Sequence, residues 1–418
     1  MLSHTDIFTY LKDFVHTEDE KWATLNGPAK STLVETVTLN GRAVPRYINE
    51  FWTARQRQAS SIQEISYRAC YKPQLPRFFI NLLTEPEELV YDPFSGRGTT
   101  IVEAALLGRN VISNDVNPLS KILAAPRLAV PLLPAVMERL SQIPPDDSST
   151  GMDLSMFYHP ETGAEINALR NYLTRVKEAN REDDIDRWIR MVATNRLTGH
   201  SKGFFSIYTL PPNQAVSAER QVKINLKRNQ QPDYRDTGML IMKKSRSLIR
   251  NLSAAERENL QKACPSAIFL ETDARHTEAI PAASVQLTVT SPPFLDIVQY
   301  SQDNWLRCWF NNLDMTQIEK NITMAKTVEQ WSLVMGDVFK ELYRITKKEG
   351  WVVFEVGEVK QGRVKLDEHV VPLGLQAGFA CEGIIINLQE FTKTSNIWGV
   401  GNNNLGTNTN RIVLFRKN

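Results

Sequence analysis

The sequence predicts an α/β domain built on a mixed, mostly parallel β-sheet. Three observations predict it. First, a strand, a tight turn, a helix and a second strand follow one another in under thirty residues. A second block, from about residue 266 onward, again alternates strands with helices. Finally, two terminal strands flank a loop rich in glycine and asparagine. Alternating strands and helices favour parallel pairing, whereas a direct strand–loop–strand connection favours antiparallel pairing.

The first block is a βαβ unit. "EELVYDP" predicts a short buried strand, "FSGRGTT" a glycine-rich turn and "IVEAALLGR" a helix that ends at Gly108. "NVISNDVNP" then predicts a second strand, closed by polar residues and a proline. Parallel strands need such a helical crossover, so these segments are expected to lie side by side in one sheet.

The second block continues the alternation. Its predicted strands are "AIFLETD", "VQLTVTS", "GWVVFEVG", "EGIIINLQEF" and "RIVLFRK". Helices are expected at "VEQWSLVMGDVFKELYRIT" and near "HVVPLGLQAG". Because only the loop "GVGNNNLGTNTN" separates the last two strands, they are predicted to pair antiparallel.

The region between the blocks differs in character and is interpreted as an insertion. "ETGAEINALRNYLTRVKEANREDDIDRWIRMVATNRL" is helical and charged, and residues 196–250 then contain eleven Lys or Arg against three Asp or Glu. The whole chain carries only +2, so the basic charge is concentrated here. Residues 1–50 read as helices and turns. The predicted divisions are an N-terminal arm (1–64), a first sheet half (65–128), the insertion (129–265) and a second half (266–418).

Composition excludes several classes of protein. The four cysteines lie far apart, without a CxxC pair, and the six histidines show no metal spacing. A zinc site or disulfide framework is therefore not expected, which fits a reducing cytoplasm. The sequence contains no apolar run of 18 residues and no signal-peptide pattern at its start. These features predict a soluble intracellular protein with no membrane partner and no metal.

The glycine turn predicts a nucleoside site. Gly96 and Gly98 lie where a strand ends and a helix begins, which is where open α/β sheets bind ligands. Neither a Walker loop nor a full GxGxxG is present, so phosphate binding is not expected. Asp115 follows the next strand and could accept both ribose hydroxyls, while Asp92 could accept from an ammonium group. This combination suggests S-adenosylmethionine; alternatively, the glycines only make a tight turn and Asp115 caps a helix.

The segment "TSPPF" predicts a rigid corner that holds a planar amine. Pro292 and Pro293 fix the backbone and remove two donors, so nearby carbonyls are expected to point outward as acceptors. Ser291 adds a hydroxyl, and Phe294 offers a flat ring. A DNA base could reach such a corner only if it were flipped out of the duplex. The alternative is a structural turn whose Phe294 packs into the core.

The motifs DPFSGRGTT, NDVNP, ETDAR and TSPPF together resemble the amino-methyltransferases that modify exocyclic nitrogens of DNA bases, and TSPP looks most like their cytosine-N4 branch. The resemblance covers about residues 65–128 and 265–418. It implies a Rossmann-like class I methyltransferase fold with a seven-stranded sheet whose last strand is antiparallel. The residues it implies for the target base are Ser291, Pro292, Pro293 and Phe294. Those it implies for the cofactor are Lys72, Pro73, Asp92, Phe94, Gly96, Gly98, Thr99, Asp115 and Asp273.

Two departures from the family pattern bear on the site. Arg97 stands between the glycines, where a small residue is usual, and is expected to alter cofactor access or to contact a substrate phosphate. The long insertion separates NDVNP from ETDAR, so recognition residues cannot be carried over from relatives.

The insertion is interpreted as a DNA-binding and target-recognition region. Its basic residues alternate with aromatic ones (Phe204, Phe205, Tyr208 and Tyr234), which suits phosphate neutralisation with stacking. Deletion of residues 201–250 is expected to abolish DNA binding and leave cofactor binding intact. The alternative is a solvated basic face. The candidate DNA-binding residues, including two in "FWTARQRQASS", are Arg55, Arg57, Lys202, Lys223, Lys227, Arg228, Arg235, Lys243 and Lys244.

The function that the sequence predicts is methyl transfer from S-adenosylmethionine to cytosine N4 in DNA. An adenine-N6 enzyme and an RNA base-amine methyltransferase are the nearest alternatives, followed by a non-catalytic DNA-binding protein. Double-stranded DNA is the expected partner, and a cognate restriction endonuclease is a candidate second partner.

Overall fold

The structure is a computed structural model. It describes residues 4–15, 31–52, 59–67, 70–146, 151–210, 216–293, 300–322, 325–359, 364–388 and 409–418.

A nine-stranded sheet runs through the described residues, in the order β1-β2-β10-β11-β7-β6-β3-β4-β5. Its strands, together with a separate two-stranded ribbon β8–β9, are β1 (Leu33–Leu39), β2 (Arg42–Asn49), β3 (Leu89–Asp92), β4 (Asn110–Asn114), β5 (Ile268–Leu270), β6 (Val285–Thr290), β7 (Thr346–Val356), β8 (Glu358–Val359), β9 (Val364–Lys365), β10 (Ala380–Leu388) and β11 (Thr409–Arg416).

Strand directions agree with the predicted fold. β5, β4, β3, β6 and β7 pair in parallel, while β11 pairs antiparallel with both β7 and β10. The seven predicted strands are therefore all present, and the last one is antiparallel. This strand order is that of a Rossmann-like class I methyltransferase fold, so the predicted fold class is confirmed.

Helices cover both faces of the sheet in the described residues. They are α1 (His4–Asp13), α2 (Gln74–Leu83), α3 (Thr99–Leu106), α4 (Leu119–Ala124), α5 (Leu133–Ser141), α6 (Pro160–Glu178), α7 (Asp184–Arg196), α8 (Ala218–Arg228), α9 (Thr237–Ile249), α10 (Ala254–Ala263), α11 (Tyr300–Phe310), α12 (Met315–Asn321), α13 (Val328–Ile345) and α14 (Leu366–Ala377).

The central strand β6 shows why both faces are covered. All six of its residues are buried. Leu287 and Val289 belong to one apolar cluster with α2 and α3, whereas Val285 belongs to a second cluster with α13 and α14. A parallel strand that is buried on two sides has no solvent face, so its polar residues must find partners inside the protein.

The N-terminal region departs from its prediction. Residues 33–49 form the hairpin β1–β2, and β2 joins the sheet in parallel with β10, so the interpretation as helices and turns is wrong there. The signal was present in the sequence. Asn40 and Gly41 join two β-branched runs and both have positive φ, +49° and +73°, as a two-residue hairpin turn requires.

The insertion shares its core with the rest of the domain. Trp188 of α7 donates from Nε1 to Ser245 Oγ of α9 at 2.9 Å, and both side chains are buried. Ile241 and Leu248 of α9 lie in the same apolar cluster as the residues that pack under α2 and α3. Deletion of residues 201–250 would remove part of this core, so point substitutions test DNA binding more cleanly than the deletion.

Two features of the described residues bear on membrane and metal binding. Within the described ranges no helix is long and apolar enough to cross a membrane. The same part of the chain contains no group of three or more His, Cys, Asp or Glu that could hold a metal ion.

Candidate functional site

The shared direction of the parallel strands gathers polar residues at one edge of the sheet, which we call the polar edge. β3, β4, β6 and β7 all end here, and β11 begins here because it runs the opposite way. The side chains at this edge are Asp92 and Asp115, Ser291, Glu355 and Asn410. Ligands of open α/β sheets bind at these carboxyl ends, so the topology places the glycine turn and the TSPPF corner at one site.

The glycine turn between β3 and α3 requires glycine for two reasons. Gly96 and Gly98 adopt positive φ, +52° and +75°, a region that disfavours other side chains. A Cβ on Gly98 would also lie 2.5 Å from the Cβ of Ala124. Any larger residue at position 98 would therefore both strain the turn and push α4 away.

Asp115 lies against the glycine turn. One carboxylate oxygen accepts the Gly96 amide at 2.8 Å, and the other accepts the Asn117 amide at 2.9 Å. Burial raises the pKa of Asp115 to about 6, so the carboxylate is mostly ionised at neutral pH. Each carboxylate oxygen has a second lone pair, so the residue can still accept hydroxyl groups of a ribose.

Asp92 has a different role from the predicted one. It is fully buried, and its two oxygens accept hydrogen bonds from Thr290 Oγ1 at 2.6 Å and Tyr71 Oη at 3.0 Å. The Phe94 amide donates to it as well, at 3.1 Å. Burial raises its pKa to about 6. Because no part of Asp92 is exposed, the geometry argues against contact with an ammonium group and for a structural link between β3 and β6.

Arg97 also departs from its prediction. It is only 7% exposed and donates to the Ile65 carbonyl at 2.7 Å and to Thr99 Oγ1 at 3.0 Å. Its own carbonyl accepts a hydrogen bond from the buried Arg127. Arg97 therefore fastens the segment before α2 to the glycine turn, and it lies too deep to contact a substrate phosphate.

The remaining cofactor candidates form the walls of the turn. Thr99 is buried, with its hydroxyl accepting from Arg97, and Phe94 is half-buried against the apolar cluster of α13. Pro73 is buried at the start of α2. Lys72 is half-buried, and burial lowers its pKa, with the nearby Arg97 contributing.

Asp273 lies in the loop after β5 and is paired with Arg275. The Arg275 guanidinium donates to both carboxylate oxygens, at 3.0 Å to Oδ1 and 2.6 Å to Oδ2. These hydrogen bonds lower the pKa of Asp273. Since Asn114 holds the same loop through Thr272, Asp273 stays close to the end of β4, beside Asp115.

The TSPPF corner follows β6 directly. Ser291 is half-buried and Pro292 is buried. The Pro293 carbonyl accepts a hydrogen bond from Trp331 Nε1 at 3.0 Å, so the prediction that the corner carbonyls point outward is wrong for this one. Phe294 lies outside the described residues.

Glu355 is a site residue that the sequence predictions missed. It lies at the end of β7, directly opposite Ser291 by the strand register, and is 7% exposed. Its carboxylate forms a hydrogen bond with the Ser291 side chain and accepts Asn410 Nδ2 at 2.9 Å. Burial raises its pKa. The signal was a single acid inside the apolar run "WVVFEV", where a buried charge needs a reason.

The basic candidates of the insertion divide into two groups. Lys202, Lys223, Lys227, Arg228 and Lys243 are exposed. By contrast, the structure buries the functional groups of Arg235 and Lys244.

Arg235 and Lys244 are corrected as DNA-binding candidates. The Arg235 side chain is 9% exposed, donates to the Phe204 carbonyl at 2.9 Å and pairs with Asp233. Lys244 is 11% exposed beside Glu64, at 3.8 Å, and burial lowers its pKa to about 8. Arg235 is thus held within the insertion and Lys244 lies beside Glu64 of the N-terminal arm, so neither cation is presented at the surface.

Three aromatic candidates and two arginines complete the comparison with the predictions. Phe204 and Phe205 are buried, so they pack the core and do not offer faces for base stacking. The Tyr208 ring is covered by Arg228 at 3.8 Å. Arg55 and Arg57 lie outside the described residues.

Comparisons with known proteins relate the chain to DNA methylases. Residues 13–123 match the family model for N6 and N4 methyltransferases, described as DNA methylase. A stretch of 312 residues is 25% identical to the type II methyltransferase M.MvaI of Kocuria varians. That match covers 68% of this chain and 65% of the relative, so the chain spans under two thirds of the curated relative that it matches.

Solved structures with some likeness include a protein of Thermus thermophilus assigned as a DNA modification methylase. It is 26% identical over 35% of this chain and 50% of that chain, with a TM-score of 0.22. The rRNA methyltransferase AviRa of Streptomyces viridochromogenes is 10% identical over 88% of this chain and 94% of its own, with a TM-score of 0.34. At TM-scores this low, the fold assignment depends on the strand order described above.

Proposed function

We propose that this chain, which belongs to the S-adenosylmethionine-dependent DNA amino-methyltransferase family, transfers a methyl group to the exocyclic N4 of a cytosine that is flipped out of double-stranded DNA. One observation carries the proposal. Thr290, the residue before the SPPF segment, donates to Asp92, the residue before the glycine turn, at 2.6 Å. Two motifs almost 200 residues apart in sequence therefore meet at the polar edge.

S-adenosylmethionine is the cofactor of this family and, when bound, supplies an electrophilic sulfonium methyl group. The residues proposed to hold it line the glycine turn and the end of β4. Asp115 accepts the ribose hydroxyls, and Gly96 and Gly98 let the backbone lie close to the methionine part. Phe94, Thr99, Lys72 and Pro73 form the surrounding wall, and Asp273 lies on the adenine side.

The TSPPF corner is proposed to hold the target base. An exocyclic amine is a poor nucleophile because its lone pair is delocalised into the ring. The Ser291 hydroxyl and the Pro292 carbonyl would accept its two hydrogens, which favours a tetrahedral nitrogen with its lone pair directed at the methyl group. Phe294 would stack on the base. The contribution of the corner is positioning and fixed electrostatics, without a covalent intermediate.

Cytosine is the proposed base because the corner carries Ser291, as in the TSPP form of the cytosine-N4 branch that the sequence resembles. Adenine N6 is the alternative, since the same two acceptors suit either amine.

DNA binding is proposed for the exposed basic residues of α8, α9 and the loop before them. α8 exposes Lys223, Lys227 and Arg228, and Lys243 lies on α9, while Lys202 lies in the preceding loop. Exposed cations of this kind neutralise phosphates without reading sequence. A cognate restriction endonuclease and a cytoplasmic location remain predictions.

One experiment tests the function. Purified protein is mixed with tritiated S-adenosylmethionine and with DNA, RNA or neither, and labelled polymer is digested to nucleosides. The proposal expects label in N4-methylcytosine from DNA. Label in N6-methyladenine would contradict the choice of base, and label only in RNA would contradict the choice of polymer. No label in either would contradict the activity.

A further inference from the structure

The inference concerns Glu355, and it rests on the proposed function because it deepens the role of the same site. We propose that Glu355 is a positioning residue that fixes the Ser291 hydroxyl as a hydrogen-bond acceptor and takes up, through that hydroxyl, the proton that the methylated base must lose.

The contacts of Glu355 are unusual for a buried charge. In the part of the chain that the structure describes, two neutral groups act on its carboxylate: the Ser291 hydroxyl from β6 and the Asn410 amide from β11. Arg411, which follows Asn410 in β11, donates instead to Asp367 of α14, at 3.1 Å. A buried carboxylate that only neutral groups contact, as far as the described residues go, costs stability, so its retention calls for a functional account.

The direction of the hydrogen bonds follows from the chemistry of the groups. An ionised carboxylate only accepts hydrogen bonds, so the Ser291 hydroxyl must be the donor in its bond to Glu355. Asn410, held by the antiparallel pairing of β11 with β7, donates to the same carboxylate and fixes its orientation. The hydroxyl proton therefore points at Glu355, and both lone pairs of Ser291 Oγ are left for the N–H of the base.

The same arrangement gives the proton an exit. Methyl transfer forms a nitrogen–carbon bond and breaks a sulfur–carbon bond, whose electron pair stays on sulfur. The exocyclic nitrogen then carries a positive charge and one hydrogen too many. That proton passes to Ser291 Oγ while the hydroxyl proton of Ser291 passes to Glu355. The products are a neutral methylated base and a neutral Glu355, which later releases the proton to water.

The raised pKa of Glu355 supports this role. A carboxylate whose pKa is raised by burial binds a proton more readily near neutral pH than an exposed glutamate does. A residue with only a structural role would not need a raised pKa. The raised pKa also makes the free energy of unfolding depend on pH. Below the unfolded-state pKa, Glu355 is protonated in both states and costs no stability. As the pH rises through the folded-state pKa, stability is lost.

The test compares wild-type enzyme with Glu355→Gln, which keeps the shape and can still accept from Asn410 through Oε1 but cannot take a proton. The single-turnover methylation rate on DNA is expected to fall by about 10²- to 10³-fold, the range of general acid–base effects. Wild-type rates should rise with pH as Glu355 ionises, whereas the variant should be nearly independent of pH. Glu355→Asp should restore the pH dependence at an intermediate rate.

Two readouts do not depend on activity. The Kd for S-adenosylmethionine should stay within about twofold of wild type, and the Tm at pH 7.5 should equal or exceed it, because a neutral side chain avoids the burial cost. Glu103→Gln is the control: Glu103 is also buried, its pKa is also raised by burial, and it also accepts an amide, from Gln63 at 3.0 Å, but it is ion-paired with Arg77 at 2.8 Å. It should leave the pH profile unchanged.

The outcomes separate the hypotheses. A Glu355→Gln variant with wild-type rate and pH profile would overturn this inference while the proposed function stands. So would a parallel loss of rate, cofactor affinity and Tm, which would make Glu355 structural. A wild-type enzyme that methylates no DNA would overturn the proposed function, and this inference with it.

Discussion

The sequence predicts functional residues both at the polar edge and in the basic insertion, but the structure arranges the residues of these two regions differently. At the polar edge, residues from distant parts of the sequence meet, and Thr290 donates a hydrogen bond to Asp92 at 2.6 Å. In the insertion, residues that look alike in sequence separate: Lys243 is exposed, whereas the neighbouring Lys244 is 11% exposed beside Glu64. Backbone topology fixes the first arrangement, but only side-chain packing decides the second. A count of the basic residues in the sequence therefore overestimates how many of them are exposed for DNA binding.

The largest expected effect is that of Ser291→Ala, which breaks the polar edge where chemistry is proposed. The single-turnover rate should fall by about 10²- to 10³-fold, as when one oriented hydrogen-bonding partner is removed from a transition state. Cofactor Kd and DNA Kd should change little. Ser284→Ala, one residue before the other end of the same strand, is the control and should keep full activity. Equal loss of rate and cofactor affinity in Ser291→Ala would mean that the corner is structural.

Gly98→Ala should damage the glycine turn nearly as severely. A Cβ here would combine positive φ with a 2.5 Å approach to Ala124, so the free energy of unfolding should drop by about 2–4 kcal/mol. Chemical denaturation measures the loss, and titration should show weaker cofactor binding. Gly163→Ala in α6 is the matched control, because its Cβ would meet nothing within 4 Å and it should be neutral or slightly stabilising. Equal stability of the two variants would contradict this account of the turn.

The exposed lysines of the insertion should affect only DNA binding. The triple variant Lys223→Ala, Lys227→Ala and Lys243→Ala should weaken DNA binding by about ten- to hundredfold and reduce the slope of log Kd against log salt by about three. Its Tm should stay unchanged. An exposed pair outside the insertion, Lys340→Ala with Lys348→Ala, should leave DNA binding unchanged.

The buried cations should behave in the opposite way: their loss should lower stability and leave DNA binding unchanged. Arg235→Ala removes the donor to the carbonyls of the buried residues Phe204 and Ser206, which leaves these acceptors unpaired. We expect a loss of about 1–3 kcal/mol in the free energy of unfolding with the salt slope unchanged. A reduced salt slope at wild-type stability would return Arg235 to the DNA-binding surface.

The smallest expected effect concerns pH. Burial raises the pKa of Asp115 to about 6, so cofactor affinity should fall severalfold as pH drops from 7.5 to 5 and the carboxylate takes up a proton. The free energy of unfolding has the opposite pH dependence. Because the folded-state pKa of Asp115 is raised, the residue lowers stability least below its unfolded-state pKa and most above about pH 6. Asp115→Asn should therefore remove this pH dependence of cofactor Kd, with the loss of one of the two backbone hydrogen bonds that the carboxylate accepts.

The sequence predicted the order of strands and helices well because each signal was local. Glycines between a strand and a helix, and two strands around one loop, carry their geometry within a few residues. The hairpin β1–β2 was missed although Asn40–Gly41 is a strong local turn signal. Glu355 and Arg97 could not be placed in the same way, because their roles depend on partners that only the folded sheet brings near.

The account depends on a division of labour between the polar edge and the insertion. One measurement tests it directly: the single-turnover methylation rate as a function of DNA concentration, in Ser291→Ala and in the triple lysine variant. The account predicts a lowered plateau with an unchanged midpoint for Ser291→Ala, and an unchanged plateau with a raised midpoint for the lysine variant. If both variants lower the plateau and raise the midpoint together, the two regions do not act separately and the account is contradicted.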